Sequence, residues 1–211
     1  MGYYMRQALE VDALPRPPTA RRAVGTAAAL GLATGLLSSL PSPLPDIRLG
    51  DPAILINAAG VPLHAGVVFA ALVAALIWSW QARDPAKCFL AAALTVIGWL
   101  TAVNTADEIM SEIAASDLFG TTPGSKDMRE ILGWLAAGLC GGLIGAGFTA
   151  CGVSLAVPSF RSAQIWTLVL AAGALCGLLL YPAAALDAGW MLFVPWQAAV
   201  AASIAYGLSR T

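Results

Sequence analysis

The chain has 211 residues, of which 59% are hydrophobic and only 11% are charged, and its net charge is −1. Soluble domains carry charge on about a quarter of their residues, so this composition excludes a soluble globular protein and predicts a polytopic membrane protein. A net charge near zero also predicts no nucleic-acid partner, because binding to phosphates depends on an excess of basic residues.

Residues 1–22 are predicted to form a basic tail on the cytoplasmic side of the membrane. The prolines at positions 15, 17 and 18 prevent a continuous helix there, and four arginines make the segment positively charged. We expect an ordered tail of this kind to lie against its own bundle or against a partner.

Six apolar stretches follow the tail, and each is taken to be a transmembrane helix, which needs about 20 residues to cross a hydrocarbon core of ~30 Å. The predicted spans are residues 23–40, 61–80, 88–103, 131–157, 163–181 and 190–208. Together they form one transmembrane domain, residues 23–208. The expected fold class is therefore all-α, a polytopic membrane bundle of six helices.

The long polar segment between the third and fourth spans contains signals for a further helix. Thr105-Ala-Asp-Glu108 has the spacing of a capping box, and Ile109, Met110 and Ile113 would form an apolar stripe along one side of a helix. We therefore predict a short amphipathic helix over residues 106–115. It either lies on the outer membrane face or extends the third span.

The basic residues predict the orientation of the chain. With both termini in the cytoplasm, eight of the 11 Lys and Arg residues lie in cytoplasmic segments, in accordance with the positive-inside rule. Arginine outnumbers lysine and alanine is abundant, which indicates a bacterium with a GC-rich genome. The predicted location is therefore the bacterial cytoplasmic membrane.

Small residues recur along one face of three of the spans. Helices in lipid associate by close packing, so such faces become contact faces. The glycines predicted to pack helices are Gly31, Gly35, Gly138, Gly142, Gly145, Gly173 and Gly177. The fourth span is the richest in glycine and is expected to be the central helix of the bundle.

His64, the only histidine, lies near the outer end of the second span. It could be an axial ligand to haem or chlorophyll, or a pH-sensitive gate. The alternative is an interfacial side chain that is hydrogen-bonded to a loop carbonyl or a lipid headgroup. The cofactor question therefore stays open at this residue.

Asp107, Glu108 and Glu112 form the densest acidic cluster in the chain. Glu108 and Glu112 share a helical face, so the cluster could bind a divalent cation or dock a basic partner. It could equally be a solvated outer face. No catalytic residue and no metal ligand is assigned, because no G-x-S-x-G motif or Glu-x-x-His pair is present.

Gln197 is the one large polar side chain within a span, about two turns into the sixth. It is expected either to bond to another helix or to line a small polar pocket. None of the spans contains Asp, Glu, Lys or Arg in its interior, which disfavours ion-coupled transporters, proton pumps and voltage sensors.

Three functions are compatible with these patterns. The first is a non-catalytic integral membrane subunit that assembles as a homo-oligomer or with other membrane subunits. The second is a channel or carrier for a small neutral solute, lined by Thr, Ser, Gln197 and glycine carbonyls. The third is an outer-face cofactor-binding protein or enzyme that uses His64 or the Asp107–Glu112 cluster.

Overall fold

The computed structural model describes residues 20–42, 44–51, 53–58, 61–80, 84–116 and 125–210, with residues 125–127 described by their backbone alone. Seven α-helices, one 3₁₀ turn and one two-stranded hairpin occur in these ranges. The helices are α1 (Ala20–Ser38), α2 (Leu63–Trp80), α3 (Pro85–Ala115), α4 (Ser125–Ala156), α5 (Ala163–Gly177), α6 (Leu180–Ala185) and α7 (Trp190–Leu208). The 3₁₀ turn is Pro158–Arg161, and the strands are β1 (Ile47–Leu49) and β2 (Ile54–Asn57). The basic tail lies almost wholly outside the described residues.

Five helical stretches in the described part of the chain are long and apolar enough to cross a membrane. They are Leu63–Trp80, Pro85–Ala115, Met128–Ala156, Ala163–Ala185 and Trp190–Leu208. The protein is therefore an all-helical membrane protein, apart from its small hairpin. Helix α1 is not among the five. Every 18-residue stretch of it contains Arg21 and Arg22, which lower the mean hydropathy of the stretch. The first predicted span, residues 23–40, therefore stays a prediction as a membrane crossing.

The third and fourth helices are longer than the predicted spans. Asp84 caps the start of α3 by accepting the backbone N–H groups of Ala86 and Lys87, and the helix then runs without a break to Ala115. Residues 106–115 are thus an extension of the third span, and no separate amphipathic helix is formed there. Since α4 begins at Ser125, much of the predicted outer loop is helical.

The bundle is organised around α4 and α7. Helix α4 packs along α3 and α5 and also touches α2, α6 and α7, while α7 packs along α1 and α5. The densest part of the core lies where α2, α4, α5 and α7 meet, around the fully buried side chains of Ile77, Val153, Phe160 and Ile204. This packing fills the half of the bundle that is farther from the hairpin.

Glycines allow two pairs of helices to meet backbone to backbone. A Cβ atom added to Gly138 would overlap the carbonyl oxygen of Gly177, and one added to Gly142 would overlap that of Gly173. These contacts hold α4 directly against α5. Because the glycine faces meet inside one chain, they are already occupied by intramolecular packing.

The same arrangement joins α1 to α7. A Cβ atom on Gly31 would lie 2.6 Å from the Cα atom of Ala198, and one on Gly35 would lie 2.5 Å from the Cα atom of Val194. Both distances are far shorter than a carbon–carbon contact allows. Helix α1 can therefore pack this closely against α7 only because both residues are glycine.

The segment between α1 and α2 contains a hairpin that the sequence did not indicate. β1 pairs with β2 in antiparallel register. The buried side chain of Asn57 bonds to the segment before β1 and to the start of α2. Its Nδ2 donates to the carbonyl oxygens of Leu44 (2.9 Å) and Pro45 (2.8 Å). Its Oδ1 accepts the N–H of Leu63 at the start of α2 (3.1 Å). One amide thus fixes the loop to the following helix.

A candidate binding cavity beside Gln197

A cavity of about 100 Å³ lies between α2, α3, α4 and α7, in the half of the bundle nearer the hairpin. Its walls are uncharged and almost entirely apolar. The side chains and glycines that line it are Val61, Gly66, Phe69, Thr95, Trp99, Ala102, Val103, Ala106, Ala137, Gly138, Gly141, Gly142, Gly145, Gly177, Leu180, Leu192, Phe193, Trp196 and Gln197. The cavity brings glycine-rich backbone and four aromatic rings to one place.

The α4 wall of the cavity is bare backbone. A Cβ atom on Gly145 would lie 3.3 Å from Cζ2 of Trp196, and one on Gly141 would lie 3.3 Å from the carbonyl oxygen of Ala102. Both distances are shorter than an ordinary contact of a Cβ atom, although they are less extreme than the overlaps at Gly138 and Gly142. A side chain at Gly141 or Gly145 would therefore press against Ala102 or Trp196 and narrow the cavity.

Aromatic rings form the opposite walls. Phe69 and Trp196 meet edge to face, with their ring centroids 5.2 Å apart and their planes inclined by 64°, which is a favoured geometry for aromatic pairs. Trp99 is placed by Gly66, since a Cβ atom there would lie 2.7 Å from Cγ of the indole. The rings are thus held in place by their protein neighbours.

Gln197 is the most polar side chain of the wall, and it is 2% exposed. Its Nε2 donates to Oγ of Ser38 over 2.7 Å, and the Ser38 hydroxyl in turn donates to the carbonyl oxygen of Ala65 over 3.4 Å. This chain of hydrogen bonds links α7, α1 and α2. Ser38 is itself completely buried.

The other end of the Gln197 amide has no partner. Its Oε1 is a buried acceptor without a hydrogen bond. The hydroxyl of Ser38 has one proton, which is directed at Ala65, and a lone pair of the same oxygen faces Nε2 of Gln197. An unpaired buried acceptor costs about 1–3 kcal/mol, and such an atom on a cavity wall indicates an absent donor.

Thr95, the second polar residue of the wall, has its own partner. Its hydroxyl donates to the carbonyl oxygen of Ala91 over 2.8 Å. Asn104, which could be expected to contribute to the same pocket, instead bonds to Leu55 in the hairpin. Of the predicted site residues, the structure brings Gln197 and the α4 and α5 glycines Gly138, Gly142, Gly145 and Gly177 to the cavity.

His64 lies in the first turn of α2 and does not line the cavity. Both of its ring nitrogens are buried and have no hydrogen-bond partner among the described residues. His64 therefore forms no bond to a loop carbonyl among the described residues, which was one of the two alternatives to a ligand role. Its partner from lipid or ligand stays a prediction.

The acidic residues Asp107, Glu108 and Glu112 lie on the extension of α3, and all three are exposed. Within the described ranges, no three His, Cys, Asp or Glu side chains are grouped so that they could hold a metal ion. The cluster is therefore exposed and does not line the cavity, and its role as a cation site or a docking surface stays a prediction.

The pairing of Gln197 with Ser38 could not be found by sequence reasoning. The two residues are 159 positions apart, and Ser38 ends a helix with no feature that distinguishes it from the adjacent serine. The aromatic side chains of the wall also carry no signal, since tryptophan and phenylalanine are ordinary in membrane helices. No protein-family model matches the chain, and neither a curated protein nor a solved structure is significantly similar to it.

Proposed function

We propose that this is a non-catalytic integral membrane protein that binds a small neutral molecule inside its helix bundle, as a carrier or channel does. The observation that supports the proposal is the cavity beside Gln197, with its uncharged wall and the unpaired, buried Oε1 atom of that residue. The proposal includes the orientation expected from the basic residues, with both termini in the cytoplasm of a bacterium.

The charge of the wall supports a neutral occupant. No wall residue is ionisable, so an ion that entered would lose its hydration shell without gaining a counter-charge. That loss is among the largest costs in protein energetics. A neutral molecule loses far less, and an apolar one gains from leaving water.

The volume supports a small occupant. A cavity of about 150 Å³ in a soluble protein binds benzene, and the present cavity is about 100 Å³. The occupant that fits it has a handful of non-hydrogen atoms, or is the end of a longer molecule that enters from one side. We propose no reaction, since the wall hydroxyl of Thr95 is already donated to its own helix.

Assembly with further copies or other subunits is a separate proposal. The glycines that prompted it, such as Gly142 and Gly173, are packed against each other within the chain. An interface would therefore have to use exposed apolar side chains, such as Leu32 and Leu36 on α1. Lipid covers such side chains equally well, so the cavity carries the stronger argument.

The proposed function is tested by reconstituting the purified protein in liposomes and following volume changes by light scattering. Small uncharged solutes such as formamide, acetamide and glycerol are added outside. We expect at least one to enter faster than into protein-free liposomes. Gly145→Ala should slow entry because it narrows the cavity, whereas Gly147→Ala, on the same helix but outside the wall, should not. Equal rates with and without protein across the panel would refute transport.

A further inference from the structure

We infer that the molecule held in the cavity is a small, mainly apolar ring with one hydrogen-bond donor, and that Oε1 of Gln197 accepts that bond. The inference rests on the proposed function, because it describes the occupant of the same cavity. It adds the chemical class of the ligand and the atom that recognises it.

The first step concerns the acceptor. Among the described residues that line the cavity, Oε1 of Gln197 is the one buried side-chain atom that is polar and lacks a partner. Nε2 is bonded to Ser38 over 2.7 Å, and the Ser38 hydroxyl is directed at the carbonyl oxygen of Ala65. Oε1 is therefore the end of the amide that is left to accept a bond from a ligand.

The second step concerns the backbone and the remaining hydroxyls. The cavity wall on α4 is helical, so its backbone groups are paired within the helix, and the carbonyl oxygen of Gly145 also accepts the hydroxyl of Thr149 (2.8 Å). Thr95 donates to Ala91. Among the buried side-chain acceptors of this wall, Oε1 of Gln197 is therefore the one left free for a ligand.

The third step compares the ligand with water. A buried water is held by two to four polar partners, and this wall offers it one unpaired acceptor within an apolar surface. A water molecule would satisfy Oε1 but would leave its own remaining hydrogen-bonding groups unpaired. A molecule with one donor and an otherwise apolar body satisfies the wall and itself.

The fourth step concerns shape. Phe69, Trp99, Phe193 and Trp196 present ring faces and edges to the cavity. Aromatic groups pair favourably edge to face or in offset stacks, and a flat ring also fits against the bare backbone of α4. These walls favour a planar ring over a branched aliphatic molecule of the same size.

The experiment uses pyrrole and furan, which are five-membered rings of nearly the same size. Pyrrole carries a ring N–H donor, whereas furan has an ether oxygen at that position. Binding to the purified, detergent-solubilised full chain is followed by the quenching of tryptophan fluorescence, since Trp99 and Trp196 lie in the wall, and by the shift in thermal midpoint. We expect pyrrole to bind about tenfold more tightly than furan.

Two variants locate the preference. Gln197→Met replaces the amide by an unbranched apolar chain and should abolish the preference for pyrrole. Ser203→Ala removes a hydroxyl on the same helix that lies outside the wall and is bonded to the carbonyl oxygen of Ala199, so it should leave the preference intact. Because the same detergent is present throughout, each ring partitions into the micelle equally for every variant, so the change in the affinity ratio from one variant to another is independent of partition.

The outcomes separate the inference from the proposed function. Equal binding of pyrrole and furan would overturn the inference and leave a cavity that binds small neutral molecules. Tighter binding of furan would also overturn it, because the wall would then present a donor. Binding of neither ring would overturn the inference, whereas entry of formamide, acetamide or glycerol into the liposomes would still support the proposed function. Should Gln197→Met not fold, the ratio measured on the unaltered chain, corrected for the partition of each ring into protein-free micelles, still decides between these outcomes.

Discussion

The side chain of Asn104 on α3 pairs with both backbone polar groups of Leu55 on β2. Its Oδ1 accepts the N–H of Leu55 over 2.8 Å, and its Nδ2 donates to the carbonyl oxygen of Leu55 over 3.0 Å. The amide thus takes the place that a third strand would occupy beside β2. It joins the hairpin to the bundle at the point where α3 begins its extension.

Replacing Asn104 by alanine should destabilise the protein. Leu55 is buried, so its N–H and C=O would lose their partner in a place that water does not readily reach. We expect a loss of about 1–3 kcal/mol in the free energy of unfolding, measured by denaturant titration in detergent.

Thr101→Ala is the matched control, one turn earlier on α3. The Thr101 hydroxyl bonds to the carbonyl oxygen of Ile97 in its own helix, so its removal should change the stability by less than about 0.5 kcal/mol. If both variants lose the same stability, the bond from Asn104 to the hairpin does not account for the loss in the free energy of unfolding.

Gly142→Ala should destabilise the contact between α4 and α5. The new methyl group would overlap the carbonyl oxygen of Gly173, and forcing extra carbon into a packed interface costs about 1–3 kcal/mol. Gly147→Ala provides the comparison on the same helix, since its nearest neighbour, Cδ2 of Leu170, is 3.5 Å away. That change should be neutral or slightly stabilising, because alanine favours helix over glycine. Thermal midpoints in detergent would show the difference.

Ser38→Ala should destabilise the hydrogen-bonded chain that joins α7, α1 and α2. Without Oγ of Ser38, Nε2 of Gln197 loses its partner, and the buried amide is then unpaired at both ends. We expect a loss of about 1–3 kcal/mol. Ser39→Ala is adjacent, but its hydroxyl bonds to the carbonyl oxygen of Gly35 in its own helix, so it should be nearly silent. Comparable unfolding midpoints for the two variants would refute the role given to Ser38.

The orientation can be tested with single cysteines on a chain whose four native cysteines are replaced by serine or alanine. Asp187 and Arg161 are both exposed and lie in the turns at opposite ends of α5 and α6. A membrane-impermeant maleimide should label Asp187→Cys in intact cells and Arg161→Cys only after the cells are permeabilised, because basic turns stay in the cytoplasm. The opposite pattern would reverse the predicted topology.

Much of the helical organisation follows from local properties of the chain. The predicted sixth span, residues 190–208, has the same bounds as α7, because an uninterrupted apolar stretch of that length has no alternative to a helix in lipid. For residues 106–115 the sequence left two arrangements open, a separate helix on the membrane face and an extension of the third span. The capping box at Thr105 resembles a helix start, yet the same residues also continue a helix, and only the packed structure decides.

What could not be predicted depends on contacts between distant residues. The strands of the hairpin have three and four residues, and they are fixed by Asn57 and Asn104, whose partners lie in other segments. The cavity depends in the same way on how four helices meet. Gln197 was recognisable as an unusual polar side chain. That its Oε1 is unpaired can be recognised only when the bond from Nε2 to Ser38 is known.

The lengths of α3 and α4 have a consequence for how the molecule can be approached from solution. These helices have 31 and 32 residues, or about 46 and 48 Å at 1.5 Å per residue, against a hydrocarbon core of ~30 Å. At the hairpin end they stay joined, since Arg129 donates to the carbonyl oxygen of Ser116 over 3.1 Å. The excess is about 16 to 18 Å, and under the predicted topology residues 104–115 of α3 would carry it into water at the hairpin end, where they would offer an epitope. An antibody fragment raised against it would bind clear of the detergent belt and would add mass for imaging a protein of only 21.6 kDa.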